Sequence, residues 1–145
     1  MNYNKIKIQA NLGELRAIET FIRKDYEIFK QYTGKESIDF IALKHNKIYK
    51  IEVKSTSIFR HGMWKVGLRK TRNNAKSQRV FKFNDYKDDF DLLVIYIYPK
   101  DVILIYHKDE ITEQTMLSIT NEEIEVKKHD EFLKYEISNI NVEEE

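Results

Sequence analysis

The sequence predicts an α/β or α+β domain built on a central mixed β-sheet. Three observations carry that reading. A single amphipathic helical stretch comes first, most later segments read as strands, and one of them, "FDLLVIYIY", is apolar almost without interruption. Such a run suits a central strand covered on both faces. With 145 residues the chain has the length of one compact domain, so residues 1–145 are expected to form a single unit. The acidic end, from about 138 to 145, is expected to fray.

Asn11 to about Lys24 reads as the helix, because Leu12, Leu15, Ile18, Phe21 and Ile22 recur at helical spacing. Asn11 suits an N-cap, with Glu14 three residues later completing a capping box. "YEIFKQY" reads as a short strand and "TGKES" as a turn. "IDFIAL" and "KIYKIEV" are rich in strand-forming residues, and the polar "KHNK" between them signals a hairpin. "MWKVGL" reads as a further strand. "RKTRNNAKSQR" is too polar for a core element and is expected as an exposed loop. "FDLLVIYIY" is the central strand, "PKD" turns the chain, and "VILIYH" returns beside it. "DEITEQTMLSI" reads as helical, and "HDEFLKYEI" fits either state.

Composition narrows the classes. The chain is 41% hydrophobic and 34% charged, enough for a core and a hydrated surface. It has no cysteine, which excludes a disulfide framework and a thiolate metal site. "MNYNKIKIQANLGE" has no apolar core of an export signal, and "LLVIYIY" is far too short to span a bilayer. A cytoplasmic protein, prokaryotic or phage-encoded, is expected. The net charge of +1 conceals a strong asymmetry. From Ser57 to Asn84 there are eight Lys or Arg and no Asp or Glu; from Asp109 to Glu145 there are twelve acidic residues and three basic. Arg60, Lys65, Arg69, Lys70, Arg72, Lys76, Arg79 and Lys82 make the cationic segment. Cations gathered without counter-charge repel one another unless they meet an anion such as a nucleic-acid backbone. Phe59, Trp64 and Phe81 are interleaved with them and read as core residues rather than base-stacking ones. Asn73 and Asn74 can reach base edges, but Asn is also ordinary turn chemistry.

The hairpin carries the chemistry. With His45 and Asn46 as the turn residues, Lys44 faces Lys47 and Asp39 faces Glu52. Opposed like charges destabilise a sheet. Lys54, two residues beyond Glu52, points to the same face. A divalent cation resolves the repulsion, and two carboxylates with water and substrate oxygens suit Mg²⁺. The bland alternative is a salt-bridged hairpin edge. His45, His61, His107 and His129 are scattered and form no ligand pair.

These residues resemble the core of the PD-(D/E)xK nuclease superfamily: a strand-borne Asp, then Glu-x-Lys on the adjacent strand, after a helix that supplies a Glu. "NLGELRAIETFIRKDYEIF" resembles that helix and the next strand; "SIDFIALKHNKIYKIEVKST" resembles the motif hairpin. "RKTRNN" and "FDLLVIYIYPKDVILI" resemble the small intron-associated, homing-type endonucleases and, more distantly, archaeal-type Holliday-junction resolvases. The likeness runs from about Asn11 to Tyr106. It departs at Ile38, where many members carry Pro, and the acidic C-terminal third has no counterpart.

The resemblance implies a restriction-endonuclease-like fold, a central mixed sheet flanked by helices. It implies that Asp39, Glu52 and the Val53 carbonyl ligate Mg²⁺, with Mn²⁺ as a substitute, and that Lys54 orients or helps deprotonate the attacking water. Glu14 would complete the site through a water or a second metal; its other reading is the helix cap. Arg60, Lys65, Arg69, Lys70, Arg72, Asn73, Lys76 and Arg79 would contact DNA. The implied activity is metal-dependent DNA cleavage of homing or restriction type, by a homodimer or higher oligomer, since cutting two strands needs two sites. A junction resolvase, an RNA-processing nuclease and a non-catalytic DNA-binding module with the same fold stand as alternatives.

Overall fold

A computed structural model describes residues 3–30, 38–73 and 78–128 of the chain. The predicted acidic tail and the ambiguous "HDEFLKYEI" lie outside the described residues. Helix α1 runs Tyr3–Arg23 and buries Gly13, Ala17 and Phe21, a four-residue repeat that sets one face against the sheet. It begins eight residues before the predicted start. Residues 3–8 are exposed on every side, so this first part carries no apolar stripe for spacing to reveal. Asn11 is therefore an interior helical residue, and the predicted cap and capping box are corrected. The helix stops where Lys24 and Tyr26 both donate their N–H groups to the Phe21 carbonyl, at 3.1 Å each, and Asp25 adopts φ 72°.

Ten strands follow. They are β1 (Glu27–Phe29), β2 (Phe40–Lys44), β3 (Lys47–Thr56), β4 (Phe59–Arg60), β5 (Met63–Gly67), β6 (Lys70–Asn73), β7 (Gln78–Phe81), β8 (Leu92–Ile97), β9 (Val102–His107) and β10 (Met116–Thr120). A short helix, α2 (Phe83–Tyr86), precedes β8, and α3 occupies 121–128. The main sheet has the order β1-β2-β3-β8-β9, with β3 and β8 parallel and the other pairs antiparallel. It is the mixed sheet the sequence predicts. No helix among the described residues is long and apolar enough to cross a membrane.

β8 is buried along its whole length, and its alternation divides the core. Leu92 and Val94 join Ala17, Phe21 and Phe40 under α1. Leu93, Ile95 and Ile97 join Leu68, Phe83 and Ile119 on the other side. At Gly13 the helix comes so close that an added Cβ would lie 2.5 Å from Ser55 Oγ and 3.3 Å from Tyr96 Cβ and Cδ2. Only glycine fits there without displacement.

Two segments differ from the sequence reading. "RKTRNNAKSQR" supplies most of the two-stranded ribbon β6–β7, not a loop. Its strands lack the apolar alternation that marks a half-buried sheet, so no period-2 signal exists. "DEITEQTMLSI" ends in β10, paired with β5, rather than in a helix. Only Leu117 and Ile119 alternate inward, a signal too short to outweigh helix-forming neighbours.

Candidate active site

The turn between β2 and β3 is made by His45 (φ 50°) and Asn46 (φ 65°). Two left-handed residues in succession make the tight turn that fixes hairpin register. Lys44 therefore pairs Lys47 and Phe40 pairs Ile51, the register the sequence reading assumed. Asp39 stands one step before β2 and donates its N–H to the Ile51 carbonyl at 2.8 Å. Its carboxylate turns onto β3, where Oδ2 accepts the Val53 N–H at 2.7 Å.

Alternation along β3 sends Ile51 and Ser55 toward α1, and Glu52 and Lys54 to the opposite face. Glu52 is only 5% exposed. Its Oε2 lies 2.9 Å from Lys70 Nζ and 3.7 Å from Lys54 Nζ. Lys70 opens β6, a different sheet, and reaches Glu52 from across the face. Beneath both ammonium groups lies the Tyr86 ring, its centroid 4.8 Å from Lys70 Nζ and 5.4 Å from Lys54 Nζ. Such rings attract cations through their negative face. The Tyr86 hydroxyl donates to the Leu68 carbonyl, so the ring is held at both ends.

Two carboxylates and two ammonium groups thus gather on one face of the sheet, Glu52 buried and the other three half-buried around it. Burial raises the Glu52 carboxyl above its ordinary pKa, and Asp39 adds to the rise; the two lysines oppose it. Burial likewise raises Asp39, which the Val53 N–H opposes and the Glu14 charge reinforces. Burial lowers the Lys54 ammonium, and Glu52 works against the lowering. Burial also pushes the Tyr86 phenol up, which keeps it a neutral donor. The two acids are therefore held close together in water-poor surroundings, and the two ammonium groups are what balances their charge.

Glu14 lies on α1, which packs against the other face. Its carboxylate is ion-paired with Lys30 and meets Asp39 only through its charge. Among the described residues no group of three or more His, Cys, Asp or Glu side chains is placed to hold a metal ion. What the site offers is the Asp39–Glu52 pair. Asp39 Oδ1 takes no hydrogen bond among the described residues, and an acceptor left free in a largely buried carboxylate fits a hard cation.

The predicted DNA-contacting residues divide. Arg60 is exposed in the β4–β5 hairpin, beside the turn residues His61 and Gly62. Arg69 is exposed just before β6, and Arg79 is exposed on β7 with its guanidinium 5.0 Å above the Phe81 ring. Arg72 and Asn73 stand on β6, with Arg72 paired across the ribbon to Arg79. Lys65 instead donates to Ser118 Oγ at 2.8 Å. Lys76 and Asn74 lie outside the described residues. Trp64 is buried, Phe81 packs against the core, and the exposed Phe59 lies 4.8 Å from the Trp64 ring. Sequence reasoning had no means of joining Lys70 or Tyr86 to Glu52, because 18 and 34 residues separate them along the chain.

A family model described as PD-(D/E)XK endonuclease matches residues 4–137. No curated protein matches significantly. Among solved structures, a bacterial homing endonuclease, I-Ssp6803I, superposes with a TM-score of 0.74 over 94% of this chain and 97% of that one, at 18% sequence identity. At that identity the likeness establishes a shared fold, the restriction-endonuclease-like mixed sheet with its flanking helices.

Proposed function

The chain belongs to the PD-(D/E)XK endonuclease family, and from that premise we propose that it is a Mg²⁺-dependent DNA endonuclease of homing or restriction type. The observation that carries this reading is the Asp39–Glu52 pair, two acids that meet across one hairpin with Lys54 beside them, the oxygen donors a hard divalent ion takes. Asp39, Glu52 and the Val53 carbonyl would hold the cation, with Mn²⁺ as a substitute. When bound, it supplies a nucleophile at neutral pH and cover for phosphate charge. Glu14 would contribute by releasing Lys30.

The remaining roles belong to this chain's own groups. Lys54 Nζ, moved toward neutral pH by burial, aligns the attacking water and faces the charge that builds on the phosphate oxygens. A water oxygen bonds to phosphorus while the bond from phosphorus to the leaving sugar oxygen breaks, and a proton goes to that oxygen. Tyr86 fixes the height of the Lys54 ammonium. The exposed Arg60, Arg69 and Arg79 suit the DNA backbone, and Arg72 and Asn73, on the ribbon that carries Arg79, are assigned to the same partner. Two copies of the chain would cut two strands.

The test compares linear duplex with four-way-junction DNA and with RNA, at one salt concentration and saturating Mg²⁺. Cleavage of duplex DNA that Asp39→Asn and Glu52→Gln each abolish is the expected result. Preference for the junction would make the enzyme a resolvase. Binding without cleavage of any substrate would leave a non-catalytic module.

A further inference from the structure

We propose that Lys70 is a placeholder cation: its ammonium neutralises Glu52 while the divalent ion is absent, and passes to the DNA phosphate when that ion binds. The inference deepens the nuclease reading and rests on it.

Four observations support it. Lys70 Nζ is the nearer of the two ammonium groups to Glu52, at 2.9 Å against 3.7 Å for Lys54. It arrives from β6, the first strand of the basic ribbon, and not from the strand pair that carries the motif. Its side chain remains 23% exposed, whereas that of Lys54 is 13% exposed, so Lys70 has a path to solvent. And the same ammonium already rests on the Tyr86 ring, its centroid 4.8 Å away, so Glu52 is not its sole partner.

Charge counting gives the direction of the exchange. Asp39, Glu52, Lys54 and Lys70 sum to zero when ionised, so the pocket is already neutral without a metal. A dication added to that set leaves an excess of two positive charges in a buried place, where repulsion is strong. The Lys70 ammonium is the group that can leave, and the phosphodiester is the anion that can receive it. Binding of cation and DNA is then coupled through one side chain, which ties the ribbon that lies on the DNA backbone to the centre that cuts it.

The experiment measures Mn²⁺ affinity of the full chain by calorimetry, without DNA, at pH 8. The proteins compared are wild type, Lys70→Met, Lys70→Gln, Lys70→Arg and Lys54→Met, each checked for folding by circular dichroism. Removing a placeholder should tighten Mn²⁺ binding about tenfold in Lys70→Met and Lys70→Gln, leave Lys70→Arg near wild type, and give a smaller gain in Lys54→Met. The same two neutral variants should cleave more slowly at saturating Mn²⁺, because the ammonium no longer meets the phosphate. Tighter metal with slower turnover is a pair of changes that mere loss of structure does not produce. In a Glu52→Gln background, Lys70→Met should give no gain. Wild-type binding with unchanged or weaker affinity in the neutral Lys70 variants would overturn the placeholder role alone. No Mn²⁺ binding by the wild-type protein would overturn the metal-centre reading and this one with it.

Discussion

Gly13→Ala tests how tightly α1 is seated over β8 and over β3, the strand that carries Glu52 and Lys54. In an unobstructed helix interior this change stabilises by ~1 kcal/mol, because glycine loses more backbone freedom on folding. Here the new methyl carbon would stand 2.5 Å from Ser55 Oγ, about 0.9 Å inside the 3.4 Å of ordinary contact. Ser55 can relieve part of this by turning its hydroxyl away from the Gln9 carbonyl, a long contact at 3.5 Å whose loss costs little. Tyr96 cannot yield in the same way. Its Cβ and Cδ2 are 3.3 Å from the added carbon, and the residue lies on the fully buried β8. Overpacking of a dense core costs ~1–3 kcal/mol, so the net expectation is a loss of about 1 kcal/mol, or ~3 °C in Tm for a chain of this size. Thermal unfolding by circular dichroism measures it. Gly67→Ala, where an added Cβ meets nothing within 4 Å, controls for the substitution itself. Adding Ser55→Ala to Gly13→Ala should recover part of the loss, since it removes the nearest clash. A Tm above wild type in Gly13→Ala would show that the helix stands off the sheet and would refute the close seating.

Tyr86→Phe keeps the ring under the two lysines but orphans the buried Leu68 carbonyl, so stability should fall by about 1–3 kcal/mol while cleavage persists. Tyr86→Leu removes the platform as well and should slow cleavage; equal rates in the two variants would dismiss the ring's role. Neutralising Arg79 should weaken DNA binding uniformly across sequences and flatten the log–log salt slope by about 1, as for one lost phosphate contact. An unchanged slope would remove Arg79 from the DNA surface. Asp101 accepts from Arg16 Nε at 2.9 Å and from the Tyr96 hydroxyl at 2.7 Å. These bonds, Arg16's above all, hold its pKa below the ordinary 3.8. Because the folded value is the lower one, the stabilisation is present above pH 3.8 and is lost as pH falls through the folded pKa. Asp101→Asn should therefore cost under ~1 kcal/mol at pH 7, given its exposure, and the gap from wild type should close in acid. A gap that widens in acid would contradict the ion pair. The Tyr96 phenol, pushed up to about 12 by burial and then by Asp101, stays a donor throughout.

Much of the hairpin was legible in advance because local chemistry dictates it. His45 and Asn46 accept left-handed backbone, and that turn alone sets which residues of β2 and β3 face each other. "FDLLVIYIY" announced β8 because a strand buried on both faces needs apolar residues at every position. The start of α1 was not legible, since residues 3–8 bury nothing. Nor was the ribbon β6–β7, whose strands are held by backbone pairing with no apolar face to mark them.

By itself the sequence determined the acid pair, the lysine two residues on, and the face they share, all consequences of short-range periodicity. Only the tertiary structure decided that Lys70 and Tyr86 come to Glu52, and that Glu14 is drawn to Lys30. Those meetings depend on how separate sheets pack across long stretches of chain, and no spacing within a strand or helix encodes that distance.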